Sequence, residues 1–81
     1  MKAQKDKKLI EQDLEKYFKK KGFKVSNKTN LIENEILDSM GIFELISYLE
    51  KKFSIRISHR LMDAKYFETI EIIRLKIFKV K

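Results

Sequence analysis

Apolar residues in this chain recur mostly at helical spacing. Ile10, Leu14, Tyr17 and Phe18 fall at i, i+4, i+7 and i+8. They form one stripe of a helix expected from about residue 5 to 20, and Leu9 widens it. Lys19, Lys20 and Lys21 follow at the helix end where cations suit the dipole, and Gly22 reads as a C-cap. A second stripe, Ile42, Leu45, Ile46, Leu49 and Phe53, predicts a helix over about 39–53. Met40, Phe43 and Ser47 lie on a second row, rotated from the first and too apolar for a purely solvated face. Spacing allows two accounts of that row: a wide core face, or a face of modest size for docking a partner. Thr69 reads as the N-cap of a last helix over about 70–79, with Ile70, Ile73 and Ile77 as its core stripe and Phe78 and Val80 at its end.

Two connections separate these helices. Residues 23–37 hold the turn formers Ser26, Asn27, Asn30 and Asn34, with Phe23, Val25, Leu31, Ile36 and Leu37 as apolar anchors. A connection this long in so small a chain is usually functional or well packed, and the anchors predict that it is pinned across the bundle. Ile55 and Ile57 alternate with Ser54, Arg56 and Ser58, but a lone strand has nothing to pair with, so a buried extended connector is expected. A short helix near 60–65 then offers Leu61, Met62 and Ala64 for packing. The expected fold is all-α: a single domain over 1–81, built as a small antiparallel bundle of three main helices and one short one, with a long first connection. Residues 1–8, polar and basic, are expected to fray.

Length and composition narrow the chemistry. With 81 residues the core is modest and leaves little room for a deep catalytic cleft. The absence of Cys excludes a disulfide framework or a thiolate metal site, and suits a reducing compartment. No apolar run approaches the ~20 residues of a membrane span, and no signal-peptide core follows the basic start. A monomeric, cytoplasmic protein is the expectation. The net charge of +7 is unevenly spread. Residues 1–30 carry +6 and residues 58–81 carry +3, whereas residues 31–57 carry −2. A basic chain suggests nucleic acid first. Here the lysines are dispersed among core positions, with no aromatic–basic alternation and no helix bearing Arg, Asn or Gln at base-reading spacing. We therefore read no nucleic-acid partner.

The segment Asp38-Ser39-Met40-Gly41 opens the second helix within that acidic stretch. Asp38 at the N-cap places the Ser39 hydroxyl in the first turn, where backbone N–H groups have no intrahelical acceptor. A phosphodiester attached there meets the positive end of the helix dipole, worth about 0.3–1 kcal/mol at an exposed site. No base and orienter are apparent for Ser39, which argues against a nucleophilic enzyme and for modification by another one. By spacing alone, Asp-Ser before a helix is more often a simple cap.

The wider register is similar to the attachment region of acyl carrier proteins and the related peptidyl and aminoacyl carrier domains. Asp38-Ser39-Met40, Glu44-Leu45, Leu49-Glu50, Phe53 and Ile55-Arg56-Ile57 match it in order, and Met62 to Ile70 resembles the family's approach to its last helix. The resemblance covers about residues 9–78. It implies that Ser39 carries 4′-phosphopantetheine, transferred from coenzyme A by a separate phosphopantetheinyl transferase. The terminal thiol would then hold acyl or aminoacyl groups as thioesters, loaded by a ligase and passed to a downstream transferase or synthase. It further implies that Asp38, Met40, Phe43, Glu44 and Ser47 face partner enzymes, with Glu44 meeting a basic partner residue, and so favours the docking account of the second row. Carriers of fatty acid synthesis are usually strongly acidic and often carry a further acid after the Asp-Ser-apolar triplet. This chain is basic, has Gly41 at that place, and has Lys51 and Lys52 where Glu is frequent. The implied role is a dedicated carrier of a specialised pathway. The readings set beside it are a small basic module binding nucleic acid and a carrier-like interaction subunit whose Ser39 is never modified.

Other groups offer less. His59 has no second His or Cys beside it. Glu33, Glu35 and Asp38 lack calcium-loop spacing, so no metal site is expected. Glu11, Asp13 and Glu15 read as a solvated face among lysines. Tyr17, Tyr48 and Tyr66 read as core-edge aromatics with wet hydroxyls.

Overall fold

Helix α1 spans Lys7–Lys20 and starts where the Asp6 carboxylate accepts the Lys8 N–H at 2.8 Å. The computed structural model describes residues 6–81, so the fraying expected of 1–8 lies outside the described residues for 1–5, while Lys7 and Lys8 are already helical. The far end closes as the sequence predicts. Gly22 adopts a φ of +97°, its N–H returns to the Lys19 carbonyl and the Phe23 N–H to that of Phe18, each at 2.9 Å. That pair of bonds is a Schellman cap, and only glycine enters the left-handed region without a Cβ penalty.

Helix α2 spans Ser39–Phe53. Asp38 accepts the Gly41 N–H on its side chain and the Ile42 N–H on its carbonyl, both at 2.8 Å. Ile42, Leu45, Ile46, Leu49 and Phe53 are all buried, as their spacing requires. The chain leaves α2 through a left-handed Ser54, and Ile55 to Ile57 run extended. There is no strand among the described residues; the Ile57 N–H is satisfied by the Glu50 carboxylate at 2.8 Å instead.

The single short helix expected near 60–65 is two separate 3₁₀ turns, His59–Leu61 and Ala64–Tyr66. Each has its own cap: Ser58 Oγ accepts the Arg60 N–H, and the Asp63 carboxylate accepts the Lys65 N–H. Asp63 competes for backbone donors in extended geometry and so breaks what would otherwise be one helix. Leu61 and Met62 pack partly on the core, but Ala64 is exposed.

The last helix, α3, begins at Thr69, whose hydroxyl oxygen accepts the Ile72 N–H at 3.0 Å. Only Ile70–Ile72 is regular α-helix; Ile73–Phe78 is wound as a π-helix, with bonds one residue longer than the α pattern. A two-bond clasp holds this wide turn. Arg74 Nε donates to the Val80 carbonyl at 3.0 Å, and the Val80 N–H returns to the Arg74 carbonyl at 3.1 Å. Ile73, Arg74, Ile77 and Phe78 are buried together as a result.

The helices and the first connection share one core. Leu31, fully buried, and Leu37 enter it from the connection, Ile57 from the extended segment, and Phe67 from just before α3. The connection is pinned as expected: the Leu31 N–H donates to the Glu68 carbonyl at 2.6 Å, and the Ile36 and Leu37 N–H groups close on the Leu31 carbonyl at 2.9 Å. Asn30 Oδ1 caps the turn by accepting the Ile32 and Glu33 N–H groups. Leu9 and Phe23, read as core residues, are exposed. Leu9 lies one position off the Ile10–Leu14–Phe18 line, about 100° round the helix, and Phe23 follows the cap that turns the chain outward.

Glu11 corrects the reading of a solvated acidic face. Its carboxylate bonds the buried guanidinium of Arg74 and accepts the Asn27 amide at 3.0 Å, so α1, the connection and α3 meet at one polar knot. Asp13 is likewise engaged, accepting the Tyr48 hydroxyl at 2.7 Å and pairing with Lys52 at 3.4 Å. The Tyr48 hydroxyl is therefore protein-bound rather than simply wet.

Candidate functional site

Ser39 is the first residue of α2 and is exposed. Among the described residues its hydroxyl makes no hydrogen bond. The Asp38 cap leaves the Ser39 and Met40 N–H groups as the unpaired leading donors of a fifteen-residue helix. The hydroxyl thus sits free at the positive end of α2, with no base bonded to it.

Gly41 has no positive φ; what a larger residue would meet there is side-chain crowding. A Cβ there would lie 3.2 Å from Leu37 Cδ2 and 3.3 Å from Asp38 Oδ1. The bare backbone lets the Asp38 carboxylate close tightly over the first turn, directly beside Ser39.

The second row of α2 is decided by exposure. Met40 is 70% and Phe43 59% exposed, and Asp38, Glu44 and Ser47 are exposed as well. The wide-core account of Met40, Phe43 and Ser47 is therefore corrected: burial ends at the Ile42–Leu45–Ile46–Leu49 stripe, one row away. Met40 and Phe43 border an open, mainly apolar groove of about 760 Å³ that also takes in Ile32, Ile42, Met62 and Ser39. Glu35 and Asp38 stand on its rim. Sequence reasoning placed Met62 only as packing and passed over Ile32. Met62 reaches the groove from the segment beyond α2, and Ile32 through the Asn30 turn that folds the connection back, and helical spacing carries no signal for either.

On the other side of Met40 lies a smaller hollow of about 220 Å³, bordered by Tyr17, Lys21, Asp38, Gly41 and Glu44. Glu44 is not a bare carboxylate. Lys21 Nζ donates to Glu44 Oε1 at 3.3 Å and lies 5.3 Å from the centre of the Tyr17 ring. The Lys21 ammonium is held above its ordinary pKa, first by the hydrogen bond to Glu44 and then by the neighbouring Tyr17 and Glu44 charges. The Tyr17 phenol is pushed up by burial, against the opposing pull of Lys21.

The remaining candidates gather no chemistry. His59 opens a 3₁₀ turn on the surface. Among the described residues no group of three His, Asp or Glu side chains forms a metal-binding cluster, and no helix is long and apolar enough to cross a membrane. No family model, curated protein or solved structure matches this chain.

Proposed function

We propose that this chain is a carrier protein whose Ser39 hydroxyl accepts 4′-phosphopantetheine and holds acyl or aminoacyl intermediates as thioesters on that arm. The observation that carries the reading is the free, exposed Ser39 hydroxyl at the N-terminus of α2, flanked by exposed Met40 and Phe43 on an apolar groove. Placed in the register of Asp38-Ser39-Met40, Glu44-Leu45 and Phe53, the chain resembles acyl carriers over most of its length. On this reading the helices form the antiparallel four-helix arrangement of that family.

The residues suit the group. The Ser39 oxygen forms the new bond to phosphorus while a pyrophosphate P–O bond of coenzyme A breaks and the nucleotide leaves. The leading N–H groups of α2, at the favourable end of its dipole, would hold the phosphodiester when the group is attached. The Asp38 carboxylate beside it is engaged by the Gly41 N–H, which moderates repulsion of the phosphate. The arm supplies the thiol; this chain supplies the attachment oxygen, an apolar bed in the groove and a contact face of Asp38, Met40, Phe43, Glu44 and Ser47. The transferase, a loading ligase and a downstream acceptor enzyme are its partners, in the cytoplasm. The chain itself performs no catalysis.

The test is intact-mass spectrometry after incubation with coenzyme A, magnesium and a broad-specificity phosphopantetheinyl transferase. The wild type should gain one phosphopantetheine and Ser39→Ala none. An equal gain in Ser39→Ala, or no gain in a folded wild type, overturns the proposal.

A further inference from the structure

The carboxylate best placed to recruit a basic partner, Glu44, is already occupied by a cation from α1. Lys21 does not arrive there by chance of a long side chain. It is the C-cap of α1, and the Schellman bonds to the Phe18 and Lys19 carbonyls fix its backbone. Its ammonium rests near the Tyr17 ring, which itself packs on Phe18 and Tyr48 at centroid distances of 5.2 and 4.7 Å. Three supports therefore aim it at Glu44: a rigid turn, an aromatic face and the carboxylate. Lys21 and Glu44 border the same hollow as Asp38, Met40 and Gly41, so an enzyme reaching for Ser39 across α2 meets this pair.

We propose that Lys21 is a specificity-determining residue: it caps Glu44 and leaves Asp38 as the one uncompensated carboxylate of the contact face, so that enzymes presenting a basic docking patch are disfavoured. The inference rests on the carrier reading and names which partners that reading admits. A basic enzyme must share Glu44 with Lys21, whose ammonium holds Oε1 and repels a second cation. Both side chains are roughly half exposed, at 46% and 61%, so the pair behaves as a surface ion pair. Its loss changes an equilibrium constant by about two- to fivefold. Partners with a neutral or acidic contact are unaffected or favoured.

The experiment measures KM and kcat for modification of Ser39 by a phosphopantetheinyl transferase whose carrier-facing surface is rich in Arg and Lys, at low and moderate salt. Lys21→Ala and Lys21→Gln should lower KM about two- to fivefold with kcat little changed, and Lys21→Glu should lower it further at low salt. Adding Glu44→Gln to Lys21→Ala should abolish the gain, because the released carboxylate is what the enzyme uses. Thermal melts of each variant confirm that the fold is kept. Unchanged KM in all three Lys21 variants overturns the proposal, and a raised KM does so too, since Lys21 would then be a contact in its own right. Absence of product with every variant, wild type included, instead refutes the carrier reading itself and takes this inference with it.

Discussion

Removing the guanidinium of Arg74 tests how this small fold is held at its centre. Arg74 is only 5% exposed, bonds the Glu11 carboxylate and reaches the Val80 carbonyl, and Glu11 has the Asn27 amide as its other partner. Arg74→Met keeps the apolar stem and deletes the charge, which leaves Glu11 as a largely buried carboxylate with one neutral donor. Breaking one partner of a buried ion pair costs about 3–5 kcal/mol. A chain of 81 residues has on the order of 4–12 kcal/mol of total stability, so the loss is at least about a quarter of it and at the low end the whole. In thermal terms, at roughly 4–8 °C per kcal/mol, the midpoint should fall by at least ~12 °C. Urea denaturation followed by circular dichroism measures the difference, and an unchanged slope would show that the denatured state is not the source. The double variant Arg74→Met with Glu11→Gln should recover most of the loss, because it is the orphaned charge, more than the absent pair, that is costly. A single variant that melts within a few degrees of wild type would refute the claim that this knot is desolvated and structural.

Gly41→Ala should destabilise by about 1 kcal/mol even though alanine is the better helix former, because its Cβ meets buried Leu37 and presses on the Asp38 cap; a raised melting temperature would show that Leu37 yields freely. The Tyr48 phenol is pushed up to about 12, first by burial and then by its bond to the Asp13 carboxylate. Its folded pKa lies above the unfolded value of about 10, so its contribution is complete below pH ~10 and is lost as pH rises toward 12. Absorbance titration of tyrosinate should show Tyr48 ionising last, near pH 12, with Tyr17 also raised, and Tyr48→Phe should delete the phase near pH 12; survival of that phase after the substitution would assign it elsewhere.

The three helices were readable from their stripes, and two of the starts are marked by competent caps: Asp38 and Thr69 bond the N–H groups that their positions imply. The end of α1 was readable from a single glycine. Arg74 was harder, although a signal existed. It stands four residues after Ile70, squarely on the core stripe, and a cation in that slot demands a buried acid. Nothing local names Glu11 as that acid, since the two lie 63 residues apart. The widened winding of Ile73–Phe78 depends on the same long-range knot and on Val80, so periodicity alone returned an ordinary helix. At the candidate site, Ser39 and the row Met40, Phe43, Ser47 were visible as positions, but spacing could not separate core from surface. Exposure decides that, and the Lys21–Glu44 pairing that alters the charge of the face spans 23 residues.

The bond from Leu31 to Glu68 changes what kind of object the first connection is. Its amide belongs to an irregular segment, yet it is fully buried and should exchange with solvent as slowly as amides inside α2. Residues 30–37 and the approach to α3 then open together or not at all, and Ser39 hangs from the end of that shared unit rather than from a loose tether. Extra residues spliced in between the exposed Phe23 and Lys24, beyond the α1 cap and short of Asn27, would be borne, whereas the same splice between Asn30 and Leu37 would unseat the start of α2 and the serine with it.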